Sequence, residues 1–150
     1  MTTGTVTVST IVKAEPAVAF DVFCGEIDRW WRRGPQYRQR TDSVVSFADR
    51  PTRRLVEVTK DGTVDLGEVT RWEPPALLQM RWLMPVGVDT VLGDRVEVRF
   101  ESVRDGTRVT IIHSGWVGLE AGGAAASIIG LWWSNPLVEF RAACDLRPAT

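Results

Sequence analysis

The chain has 150 residues, 44% of them hydrophobic and 25% charged, with a formal net charge of −1. That length suits a single globular domain spanning residues 1–150, and the composition excludes a disordered or fibrous chain. Near-neutral charge gives no global pull toward nucleic acid or an anionic membrane, two cysteines cannot build a disulfide framework, and one histidine cannot supply an ordinary zinc site.

Residues 5–12 alternate, with Val6, Val8, Thr10 and Val12 on one side, which predicts a strand with one buried face. The opening residues show no secretory leader pattern, so the expectation is a cytoplasmic protein with Cys24 and Cys144 reduced and buried. Pro16 suits the first turn of a helix, and Val18, Val22 and the pair Phe20/Cys24 continue it at helical spacing to Gly25. A second short helix is expected over residues 26–31. Strands are predicted over 44–47, 53–59 and 64–72, the last two joined at Asp61-Gly62, a dipeptide suited to the positive φ angles of a tight turn. Residues 76–84 put Leu78, Met80, Trp82 and Met84 on one face, and 95–103 put Val96, Val98 and Phe100 on one. Asp105-Gly106 turns the chain into a last strand over 108–116.

The tail, about residues 118–145, reads as mainly helical, with Asn135-Pro136 expected to kink it or start a fresh helix. Residues 121–138 carry no charge, but their glycines and acidic flanks argue for a helix on a protein core rather than a membrane span. One strand, two short helices, six strands and a long helix are most simply arranged as an antiparallel sheet with helices on one face.

Several stretches resemble the SRPBCC superfamily, also called START-like or birch-pollen-allergen-like. Within it the best match is the family of activator-of-heat-shock-protein-90-ATPase homologues. Val12-x-Ala14-x-Pro16 before Phe20 resembles its opening strand-to-helix passage, and Asp28-Arg-Trp30-Trp31 followed by Pro35 its paired-tryptophan helix. Gly67-x-Val69-x-x-Trp72-Glu-Pro-Pro75 with residues 78–82 resembles its central hairpin. Gly106-Thr-Arg-Val-Thr110 through His113-Ser-Gly-Trp116 resembles its final strand. Ala19 departs from the usual valine, and Trp132-Trp133 with Asn135-Pro136 departs from the family's last helix. The resemblance implies an α+β helix-grip: a curved seven-stranded antiparallel sheet wrapped around a long C-terminal helix, with two short helices after the first strand. It implies a hydrophobic-ligand cavity between sheet and helix, and it brings no shared catalytic motif.

The candidate site residues follow. His113, the only histidine, shares strand parity with Val109 and Ile111, so it faces the apolar side. It is either a polar ligand contact or acid/base group, or a core histidine bonded within the protein. Of seven tryptophans, Trp31, Trp82 and Trp132 are placed inward, with Met80 and Met84 beside Trp82 as an adaptable wall; the alternative is that they fill the grip. Glu68 is weighed as an inward carboxylate against an outward one paired with an arginine. Arg29, Arg32, Arg33, Arg38 and Arg40 interleave with Trp30, Trp31 and Tyr37; a solvated loop is preferred over a nucleic-acid surface, with a mouth that attracts an anionic ligand as a narrower option. Phosphate-loop, dinucleotide and nucleophile-elbow patterns are absent.

The expected function is binding of a small hydrophobic or aromatic molecule by Trp31, Met80, Trp82, His113, Trp132 and Glu68, without cofactor, metal, nucleic-acid or membrane partner. A polyketide cyclase or hydratase using His113 or Glu68 is one alternative; a chaperone-regulator-like interaction domain is another. Oligomeric state is open, a homodimer included.

Overall fold

The computed structural model describes residues 3–49, 52–87, 94–117 and 124–146. Strand β1 (Gly4–Val12) leads into helices α1 (Pro16–Gly25) and α2 (Ile27–Trp30). Six strands follow: β2 (Val44–Ala48), β3 (Arg54–Thr59), β4 (Gly62–Glu73), β5 (Leu77–Trp82), β6 (Arg95–Val103) and β7 (Gly106–Trp116). Helix α3 (Ala125–Asp145) closes the order. The seven strands form one antiparallel sheet in the order β1-β7-β6-β5-β4-β3-β2. This is the α+β architecture expected, with β5 ending at Trp82 rather than Met84 and α3 assigned from Ala125; residues 118–123 lie outside the described residues.

The alternation in each strand sets the inner face. Val69, Met80, Val96, His113 and Val6 are successive register partners and form one row across the sheet; Trp72, Leu78, Val98, Ile111 and Val8 form the next. Against these rows α3 lays Ile129, Trp132, Trp133, Pro136, Leu137, Phe140 and Cys144, a buried stripe at helical spacing. Each inward aromatic removes on the order of 150–250 Å² from water, so this seam dominates the core. At the β6–β7 turn a Cβ on Gly106 would lie 2.0 Å from the Val12 carbonyl oxygen. Only glycine lets β1 and the turn approach so closely.

No fresh helix starts at Asn135-Pro136: α3 runs through Pro136 as one helix. Proline has no N–H, so the Trp132 carbonyl, four residues back, loses its helical donor. Tyr37 supplies the replacement, its hydroxyl donating to that carbonyl at 2.7 Å. Burial pushes the Tyr37 phenol above its usual value, which keeps the hydroxyl a donor. Among the described residues no helix is long and apolar enough to cross a membrane.

Candidate functional site

Five of the six anticipated site residues converge inside the grip. Trp31, Met80, Trp82 and Trp132 are each at most 2% exposed, and His113 is fully buried. Their rings touch directly: Trp31 to Trp132 at 5.8 Å, Trp82 to Trp133 at 5.0 Å, Trp132 to Trp133 at 4.8 Å. The tryptophans here fill the space between sheet and helix. Glu68 does not join them. Its side chain is 46% exposed and lies 3.8 Å from Arg81, because the bulge in β4 leaves Leu66 and Gly67 as the buried pair.

His113 is held on both sides. Its Nε2 lies 2.7 Å from Asp94 Oδ2, and the Trp133 indole N–H donates to its Nδ1 at 3.0 Å. An indole N–H can only donate, so Nδ1 is an acceptor and the ring proton sits on Nε2, donating to Asp94. Trp116 adds an indole donation to the His113 carbonyl at 3.1 Å. Asp94 was missed in the sequence, although its parity with Val96, Val98 and Phe100 points it inward.

Three further indoles are engaged as well. Trp30 donates to the Val22 carbonyl, Trp31 to the Tyr37 carbonyl and Trp132 to the Gln36 carbonyl. Trp82 differs from them: its Nε1 is buried with no partner among the described residues. These bonds pin the segment Gln36–Tyr37 to the tryptophan cluster, and Tyr37 stacks on Trp132 at 4.5 Å.

That segment walls a pocket of about 430 Å³, bounded across the way by Val64 and Leu66 of β4 and by Leu83, Met84 and Pro85 after β5. Tyr37 thus faces the tryptophan cluster on one side and the pocket on the other. Glu57, 1% exposed, lines the same pocket. It shares a face with Leu55, two residues earlier on β3, so its inward direction was readable from parity. Gln39 N–H donates to Glu57 Oε1 and Oε2 at 3.0 and 2.8 Å, and Arg40 N–H to Oε2 at 3.2 Å.

The arginine loop is not uniformly solvated. Arg38 is buried, and its guanidinium is fully committed: Nε to the Arg32 carbonyl, Nη1 to Asp28 Oδ1 and the Ser43 carbonyl, Nη2 to the Asp28 and Trp31 carbonyls. It builds the loop and leaves no donor for a ligand. Arg29, Arg32 and Arg33 do line an open groove of about 620 Å³ that also borders Tyr37, alongside Asn135 and Glu139. Each lies within ion-pair range of a carboxylate: Glu26, Glu139 and Asp28 respectively. Among the described residues no cluster of histidine, cysteine and carboxylate side chains could hold a metal ion.

A seven-stranded antiparallel sheet of this order with one long terminal helix is a helix-grip arrangement, the fold that the sequence resemblance implied. Solved structures with it include the Aha1 dimer from Colwellia psychrerythraea, 18% identical at a TM-score of 0.68, over 95% of this chain and 97% of that one. CalU16 from Micromonospora echinospora is 16% identical at 0.62, over 95% and 76%. The di-domain ARO/CYC BexL of the BE-7585A biosynthetic pathway is 16% identical at 0.59, over 97% of this chain and 51% of that one. At these identities the likeness is one of fold. No protein-family model and no curated protein matches the sequence.

Proposed function

We propose that the chain binds a small, mainly apolar molecule at the mouth of the grip, in the pocket behind Tyr37. The observation that supports this is the pocket itself: about 430 Å³, within the roughly 300–1,000 Å³ usual for small-ligand sites. Its apolar walls are Tyr37, Val64, Leu66, Leu83, Met84 and two prolines, and Gln36, Arg38, Gln39, Glu57 and Asp65 supply the polar part of the lining. Of the anticipated residues, Trp31 and Trp132 pack on the Tyr37 ring, while Met80, Trp82 and His113 are buried in the interior. The His113 side chain, with both nitrogens engaged, serves in this reading as a core group and not as an acid or base.

Titration with 2-naphthylmethanol, followed by calorimetry, tests the proposal. Binding is expected, and Met84→Trp, which fills the pocket from its rim, should weaken it by about tenfold or more, the loss expected when over 1.4 kcal/mol of contact is removed. Binding unaffected by Met84→Trp would place the ligand elsewhere and overturn the assignment.

A further inference from the structure

The pocket's charges narrow the ligand further, on the reading that it is a binding site. Three side chains that carry charge line it among the described residues: Arg38, Asp65 and Glu57. Arg38 has all its N–H groups committed to other partners, Asp28 among them, so it can neither donate to a ligand nor leave its charge uncompensated. Asp65 is held by Arg54, whose Nη1 reaches both carboxylate oxygens at 3.1 and 3.0 Å. Glu57 has no cationic side chain within ion-pair range among the described residues.

Glu57 also keeps acceptor capacity. A carboxylate offers about four lone-pair sites. Backbone N–H groups fill two on Oε2 and one on Oε1. By that count Oε1 keeps one acceptor site. A hydroxyl or ammonium group entering the pocket could donate into it; a carboxylate could only repel, in a place where apolar walls weaken screening.

We infer that the pocket takes an apolar molecule whose head group is an O–H or N–H donor, neutral or cationic, and that it rejects carboxylate ligands through Glu57. This reverses the anionic preference that the arginine-rich loop suggests: the arginine that reaches this pocket is the one already spent.

Three probes on one ring system decide it: 2-naphthylmethanol, 2-naphthylmethylammonium and 2-naphthoate, titrated calorimetrically at neutral pH and low salt. The alcohol and the ammonium are expected to bind, and the naphthoate to bind about tenfold more weakly or worse, the scale of one charge-assisted hydrogen bond. Glu57→Gln keeps a carbonyl for the loop N–H groups and should bring the three affinities within about threefold, once the lost charge term is gone. If Glu57→Gln does not fold, the wild-type comparison still decides. Naphthoate binding as tightly as the alcohol would overturn the inference and leave the pocket proposal standing. Unchanged selectivity in a folded Glu57→Gln protein would remove Glu57 from the argument. Failure of all three probes would overturn the pocket proposal, and this inference with it.

Discussion

Asp28 shows how one residue can organise a loop that reads as mere surface. Its Oδ1 accepts from Arg38 at 2.7 Å and from the Val45 N–H at 2.9 Å, and its Oδ2 from Arg33 at 3.0 Å. Burial alone would raise its pKa; the Val45 N–H, the Arg38 hydrogen bond and the charges of Arg38 and Arg33 outweigh that and hold it below the ordinary 3.8. The sign follows. A depressed native pKa contributes stability that is fully present above pH 3.8 and is lost as acid protonates the carboxylate through its native pKa. Asp28→Asn should therefore cost about 1–2 kcal/mol at pH 7, since a buried guanidinium loses its charged partner while the amide still accepts one bond. It should also flatten the acid limb of the stability curve below that pH. Urea melts of both proteins at pH 7 and pH 3 check this: an equal Asp28→Asn penalty at the two values would refute the linkage. The loop's composition named the arginines but could not show which was buried. That depends on the carbonyls of Arg32, Trp31 and Ser43 converging on one point, which is a tertiary fact.

At the scale of the element, α3 passes through a proline because a distant side chain repairs the defect. With Tyr37 present, the Trp132 carbonyl has its donor; in Tyr37→Phe it is left bare, at a cost of about 1–3 kcal/mol for a buried acceptor. Pro136→Ala restores the ordinary helical N–H to that carbonyl, so in this background Tyr37→Phe should cost well under half as much. The double-mutant cycle isolates the coupling, whatever Pro136→Ala does to packing on its own. Additive penalties would mean that the hydroxyl and the proline are unrelated. Helix α3 itself was legible as a mainly helical tail with an uncharged, core-facing stretch, and the strands from their alternation. The continuity through Pro136 was not, because the compensating group lies about a hundred positions away. Glu57 and Asp94 are different cases. Both follow the parity of their strands, Glu57 with Leu55 and Asp94 with Val96, whereas Glu68, the carboxylate weighed as inward from the sequence, sits where the β4 bulge breaks the parity.

At the scale of the molecule, α1 and α3 meet in one core with the sheet. Phe23 of α1 touches Phe140 of α3 at 5.4 Å and Phe100 of β6 at 5.7 Å. The two thiols sit on these two helices and report on that core. Burial pushes Cys24 up, with Asp21 adding to it, and pushes Cys144 up to about 12, with Asp145 adding to it. Neither supplies thiolate at neutral pH, so labelling by a thiol reagent has to wait for opening. The end of α3 would ordinarily fray first. Here the Lys13 N–H donates to Asp145 Oδ1 at 3.0 Å, tying the helix end to the segment after β1, and Leu146 N–H closes the last turn on Ala142. Cys24 and Cys144 should therefore label with the same opening free energy, equal to that of global unfolding. At about 5 kcal/mol, the low end for a domain, that means roughly one molecule in several thousand open at a time. Single-cysteine variants, Cys24→Ala and Cys144→Ala, each labelled under native conditions and compared with its own urea melt, make the measurement. Cys144 labelling far faster than its melt allows would show α3 leaving the sheet by itself, and residues 1–150 would then not be one cooperative unit.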